Sequence, residues 1–219
     1  MAVKYLSGNR LWGTNAERTA MSVSYDQSTT DESRTFGVGG RKAVGVKILA
    51  DHYLVGKTIT QFQLVVNKDP DGAGTVRVYV IRNGSTPDDQ EAESDAVTVP
   101  STTSGNTTIN TTFTFSGGVT ILANDIIAIV RDDASAMTGV CQTRTTSTDV
   151  DSNAKLVSID TTSATSFEYG DFSNLGTNDD LRYIASGALP SLPNGSVFIT
   201  SDTNVHYMWN GTDTWNEVA

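Results

Sequence analysis

From Val44 onward, apolar and polar side chains alternate with a period of two, in short runs broken by turn residues. Val44, Val46 and Ile48 are separated by Gly45 and Lys47. Ile59, Phe62, Leu64 and Val66 form a second run, and Val76, Val78 and Val80 alternate with Arg77 and Tyr79. A period of two turns one side of each segment towards a core and the other towards water, which predicts half-buried strands. The same reading predicts strands over 96–99, 108–115, 126–131, 139–145, 155–159 and 181–185. Between them, the stretch 68–74 and the turn Asn83-Gly84-Ser85 carry the Gly, Asn and Pro chemistry of tight turns. Roughly nine such strands without a credible helix predict an all-β chain, a jelly-roll-like two-sheet β-sandwich over residues 38–187.

The flanks read differently. Residues 1–37 hold isolated apolar side chains in a Gly, Ser, Thr, Asn and Asp background, and 26–33 has none, which predicts an N-terminal arm or a pair of short strands followed by a loop. Gly37-Val38-Gly39-Gly40 marks a joint; it lacks the Lys-Ser/Thr ending and the preceding buried strand of a phosphate-cradling loop. Pro190 and Pro193 place a boundary near 187. Beyond it, residues 188–219 read as a C-terminal β-meander of three strands, with Asn210-Gly211 as a hairpin turn. A meander of that size buries too little to stand alone, so it is expected to pack on the sandwich or on another subunit. The arm is expected to dock on a neighbour or on the sandwich as an added strand at an open sheet edge.

Composition narrows the possible functions. Apolar residues make up 37% and charged residues 18%, against roughly 45 and 25% in average globular chains, and β-branched Thr fills much of the difference. The 25 acidic against 15 basic residues give a net charge of -10, and the basic residues form no run. Phosphate neutralisation needs clustered Lys and Arg, so nucleic acid is not an expected partner, nor is an anionic membrane. The longest apolar stretches, 121–123 and 126–130, fall far short of the ~20 residues of a membrane-spanning helix. The first eight residues hold one Lys and no apolar core, so no secretory leader is expected. Cys141 is the single cysteine, which excludes an intramolecular disulfide and a multi-cysteine zinc site and predicts a reduced, buried strand residue.

Two stretches resemble known proteins. The central run, with 56–64, Gly74-Thr75-Val76-Arg77-Val78-Tyr79-Val80, Phe113-Thr114-Phe115-Ser116-Gly117-Gly118 and Asp125-Ile126-Ile127-Ala128-Ile129-Val130, resembles the jelly-roll sandwich modules of viral structural proteins and bacterial surface proteins. The tail, from Leu189-Pro190-Ser191-Leu192-Pro193 through His206-Tyr207-Met208-Trp209-Asn210-Gly211 and Trp215, resembles short C-terminal hairpin elements of phage tail and other virion proteins. The opening Lys4-Tyr5-Leu6-Ser7-Gly8-Asn9-Arg10-Leu11-Trp12-Gly13 is similar to the starts of environmental viral sequences. The resemblance implies a virion structural or attachment protein.

Candidate sites are few. Tyr207, Trp209 and Trp215 on neighbouring strands could offer an aromatic platform for a sugar; the competing reading makes them the core of the small tail. Asp69 and Asp71 before Gly72 imitate the start of a calcium loop, though no closing Glu completes the frame. No other cofactor is expected. Asp88-Asp89, Asp132-Asp133, Asp149/Asp151 and Asp179-Asp180 fall in loops and read as solvated surface. With His52 and His206 the only histidines and no Gly-x-Ser-x-Gly elbow, no nucleophilic machinery is legible and no enzyme is expected. These residues lead to a non-enzymatic virion structural protein that self-assembles into a coat, tail or fibre component, its partners being itself and other virion proteins. The alternative is a carbohydrate- or receptor-binding β-sandwich module that takes a host-surface glycan.

Overall fold

The computed structural model describes residues 4–6, 10–13, 23–27, 32–37, 42–68, 75–84, 89–98, 109–131, 140–159, 167–176, 179–187, 195–209 and 215–218. The chain forms two compact units, residues 25–185 and residues 1–24 together with 186–219. In chain order the first strands are β1 (Lys4–Leu6), β2 (Arg10–Gly13), β3 (Val23–Gln27), β4 (Glu32–Gly37), β5 (Ala43–Ile48), β6 (Thr58–Lys68) and β7 (Thr75–Ile81). There follow β8 (Gln90–Glu93), β9 (Val97–Thr98), β10 (Ile109–Thr120), β11 (Ile126–Arg131), β12 (Val140–Thr146) and β13 (Ala154–Ile159). A short 3-10 turn, Tyr169–Asp171, precedes β14 (Ser173–Asn174), β15 (Asp180–Leu181), β16 (Tyr183–Gly187), β17 (Val197–Thr200), β18 (His206–Trp209) and β19 (Trp215–Val218).

The larger unit is the all-β sandwich expected from the alternation, built from two seven-stranded sheets whose order is compatible with a jelly roll. One sheet runs β14-β13-β5-β11-β7-β8, with β9 also on β7. Its inward residues are Val44, Val46, Ile48, Val76, Val78, Val80, Ile127, Ile129 and Leu156, all buried. Its outward face is buried too. Ala43, Ile126, Ala128, Val130, Val157 and Ile159 form a second apolar layer, against which Tyr79, Phe167, Tyr169 and Phe172 pack. That double burial explains the unbroken run Ile126 to Val130, where alternation disappears.

Gly45 is where this sheet has no room. It pairs with Ala128 on one side and Val157 on the other. A Cβ there would lie 2.6 Å from the Ala128 Cβ and 2.6 Å from the Ile127 carbonyl oxygen.

The other sheet runs β15-β12-β6-β16-β3, with β10 on β6 and β4 on β12. Phe36, Ile59, Phe62, Leu64, Val66, Phe113, Phe115, Cys141, Leu181, Tyr183 and Ala185 are its buried apolar side chains. Thr143 and Thr145 are also buried. The expected strand 108–115 continues to Thr120, past a register shift between Thr114 and Val119. Gly117 and Gly118 absorb the shift with positive φ, +89° and +74°.

The smaller unit is a five-stranded sheet, β1-β2-β17-β18-β19. The expected arm 1–37 divides: β2 adds to the tail meander through a parallel pairing with β17, Leu11 opposite Phe198, while β4 belongs to the sandwich and pairs with β12. The dividing line lies far from 37, because Phe36 finds its cross-strand partner in Cys141. The loop expected over 26–33 is shortened by β3, which reaches Gln27, and by β4, which starts at Glu32.

Candidate functional site

Tyr207, Trp209 and Trp215 do come together, as the interior of the terminal sheet. Trp209 is only 3% exposed, and its ring centroid lies 5.5 Å from that of Trp215, which meets Phe198 edge-on at 5.8 Å. Leu11 and Phe198 complete this face. A covered indole cannot stack on a sugar, so packing is the role of Trp209; Tyr207 and Trp215 are half-buried beside it. Asp69 and Asp71 lie outside the described residues. Among the described residues no group of three His, Cys, Asp or Glu side chains is placed to hold a metal ion. Cys141 is buried and forms no disulfide.

The richest polar constellation lies inside the sandwich unit, and the sequence pattern did not point to it. The turn after β5 places His52, the link from β12 to β13 places Asp151, β3 supplies Tyr25 and β16 supplies Tyr183. His52 Nδ1 accepts the Leu54 backbone N–H at 3.0 Å, so the ring proton sits on Nε2. Nε2 lies 3.0 Å from Asp151 Oδ2 and 3.1 Å from the Tyr183 hydroxyl. The Tyr25 hydroxyl donates to the same Asp151 oxygen, and Asp151 Oδ1 accepts the Asn153 N–H at 2.9 Å. The rings stack as a layer: Tyr25 lies 4.7 Å from His52 and 5.3 Å from Tyr183, and Tyr183 lies 4.9 Å from Phe62.

Burial sets the electrostatics here. Desolvation lowers the His52 pKa, with Asp151 opposing, so the imidazole is neutral and its contact with Asp151 is a hydrogen bond to a carboxylate rather than an ion pair. Desolvation and then Asp151 raise the Tyr25 hydroxyl. Tyr183 is raised well above the ordinary phenol value, again chiefly by burial. Asp180 is buried and pushed up by desolvation, although the Val150 and Asp151 N–H groups donate to it at 2.6 and 2.8 Å. Asp180 and Asp151 therefore depart from the solvated-surface reading: each carboxylate is needed inside to satisfy backbone or ring donors.

Chemically the cluster is saturated. Both His52 nitrogens are engaged, so no lone pair is left to take a proton from a nucleophile. The arrangement joins β3, the turn after β5, the β12–β13 link and β16 through one set of hydrogen bonds. No protein-family profile, curated protein or solved structure matches this chain.

Proposed function

We propose that the protein is a non-enzymatic structural component of a virus particle, acting in the virion as part of a coat, tail or fibre, and that it works by self-assembly. One observation carries this reading: the terminal sheet has apolar side chains on both faces. Leu11, Phe198 and Trp209 are buried on one. On the other, by register, Trp12 stands beside Ile199 and Val197 beside Met208. Trp12, Val197 and Ile199 are half-buried and Met208 is 42% exposed. An antiparallel sheet of a solitary chain ordinarily gives one face to water and makes it polar; the occupant this face fits is a second copy of the chain. The resemblance of the central run and tail to virion modules supports the same role, and the saturated His52 cluster supports a non-catalytic one.

Electron microscopy of the purified full-length protein tests the proposal. Rings, filaments or closed particles are expected, and they should be lost in Ile199→Glu. A field of single small molecules at every concentration, unchanged by that substitution, would contradict it.

A further inference from the structure

The sandwich unit contains five half-buried arginines among its described residues, and they are not treated alike. Arg34 meets Glu32 and Asp179. Arg77 lies 3.7 Å from Glu93. Arg82 grips Asp125 through two 2.9 Å bonds and reaches Glu91 at 2.6 Å. Arg144 and Arg182 have no carboxylate partner among the described residues, in a chain with 25 acidic and 15 basic side chains.

These two arginines stand opposite each other. Thr145 pairs with Leu181, and the Arg182 N–H donates to the Arg144 carbonyl at 3.0 Å, so Arg144 and Arg182 occupy one cross-strand position. Thr145 and Leu181 on either side are buried, which turns the arginine pair to the outward face. Like charges directly opposite destabilise a sheet. The nearby acids do not relieve it, since Asp179 and Glu32 go to Arg34 and Asp180 is turned inward to backbone N–H groups.

The surroundings suit a hydroxyl-rich ligand. Thr143 pairs with Val66, which brings Val65 beside Arg144, and Val65 is buried although it faces outward. Gln63, Val65, Arg182 and Ile184 line a shallow depression there. The Gln63 amide donates to the exposed Thr112 hydroxyl at 3.1 Å, and Ser33 donates to the Gln142 amide oxygen at 3.3 Å. Amide and hydroxyl groups on a rigid sheet face match sugar hydroxyls, and two arginines at one cross-strand position can turn both guanidinium forks to one planar carboxylate.

We propose that Arg144 and Arg182 form a binding site for the carboxylate of an acidic saccharide, a uronic or sialic acid. A bound carboxylate would neutralise the repulsion that the fold leaves in place. The site lies within residues 25–185 and does not depend on whether the protein assembles.

The test is titration of the full-length protein with glucuronate, acetate and glucose, followed by NMR or calorimetry. Glucuronate should bind with a Kd on the order of millimolar, more tightly than acetate, while glucose should not register. Arg144→Gln and Arg182→Gln should each weaken glucuronate about tenfold or more, with a melting temperature equal to or above the parent's because the like-charge cross-strand pair is gone. Equal binding of glucose overturns the carboxylate, and equal binding of acetate overturns the saccharide. A marked fall in melting temperature in both variants makes the arginines structural and overturns the site. Native mass of the double variant separates the remaining source: if the oligomer dissociates, the arginines meet a carboxylate of a second copy and the saccharide proposal fails, whereas an unchanged mass with lost glucuronate binding supports it.

Discussion

The sandwich unit and the terminal sheet solve the burial problem with different materials. In the sandwich, strand after strand contributes Val, Ile and Leu, and one sheet is covered on both faces, with Ala43, Ala128 and Val157 outside and Val44, Val46 and Ile129 inside. The terminal sheet relies on a few large rings, Trp209, Trp215 and Phe198, around Leu11. A many-stranded aliphatic core spreads its stability over many small contacts, whereas a five-stranded sheet with an aromatic centre concentrates it. Losing one ring should therefore weigh more on the terminal sheet than losing one aliphatic side chain weighs on the sandwich.

Substitutions that target one region at a time sharpen that contrast. Gly45→Val should do the most damage, about 5 kcal/mol or failure to fold, because even the first carbon of a side chain meets Ala128 and the Ile127 carbonyl at 2.6 Å. Yield of soluble protein and urea unfolding read this out, and a near-neutral result would show that β5 and β11 can separate cheaply. Trp209→Ala should cost about 3 to 5 kcal/mol, confined to the terminal sheet. Two calorimetric transitions, of which only one moves, are the expected pattern; a single transition moving as a whole would make the two regions one cooperative unit.

Cys141→Ala should cost about 1 to 2 kcal/mol, with the parent thiol reacting slowly with a labelling reagent because it is buried in β12. Rapid labelling would contradict that burial. The smallest effect is on pH dependence. His52 has a folded pKa below the unfolded value of about 6.5, so its contribution is present above that pH and is lost as pH falls below it, with a slope of at most about 1.4 kcal/mol per pH unit. Asp180 works in a lower window and with the opposite sign, since its folded pKa is raised and its stabilising share fades as pH rises through it. Denaturant midpoints between pH 7.5 and 5.5 should fall for the parent and stay flatter in His52→Gln; parallel curves would remove His52 from the explanation.

Two central strands of the doubly covered sheet were legible because their residues repeat with period two: Val44, Val46 and Ile48 in β5, and Val76, Val78 and Val80 in β7. The same logic missed β4, whose single large apolar residue is Phe36, and the short polar β8 and β14. Such edge strands are defined by their neighbours' hydrogen bonds, which a pattern of side chains does not record. The tail's rings were legible as packing because two of the chain's three Trp fall there. The His52 cluster was not, since Tyr25, His52, Asp151 and Tyr183 meet only through the topology, and nothing local separates a half-buried, hydrogen-bonded Asp151 from a solvated one. The Arg144 and Arg182 pairing is equally invisible along the chain and follows from the register of β12 with β15 alone.

Native mass spectrometry of the full-length protein and of Ile199→Glu addresses self-assembly through the terminal sheet most directly. A defined homo-oligomer is expected for the parent, with the single-chain mass for the variant and an unchanged melting transition for the sandwich. A parent that stays at the single-chain mass at every concentration, or a variant that keeps the oligomer, would contradict the assembly role.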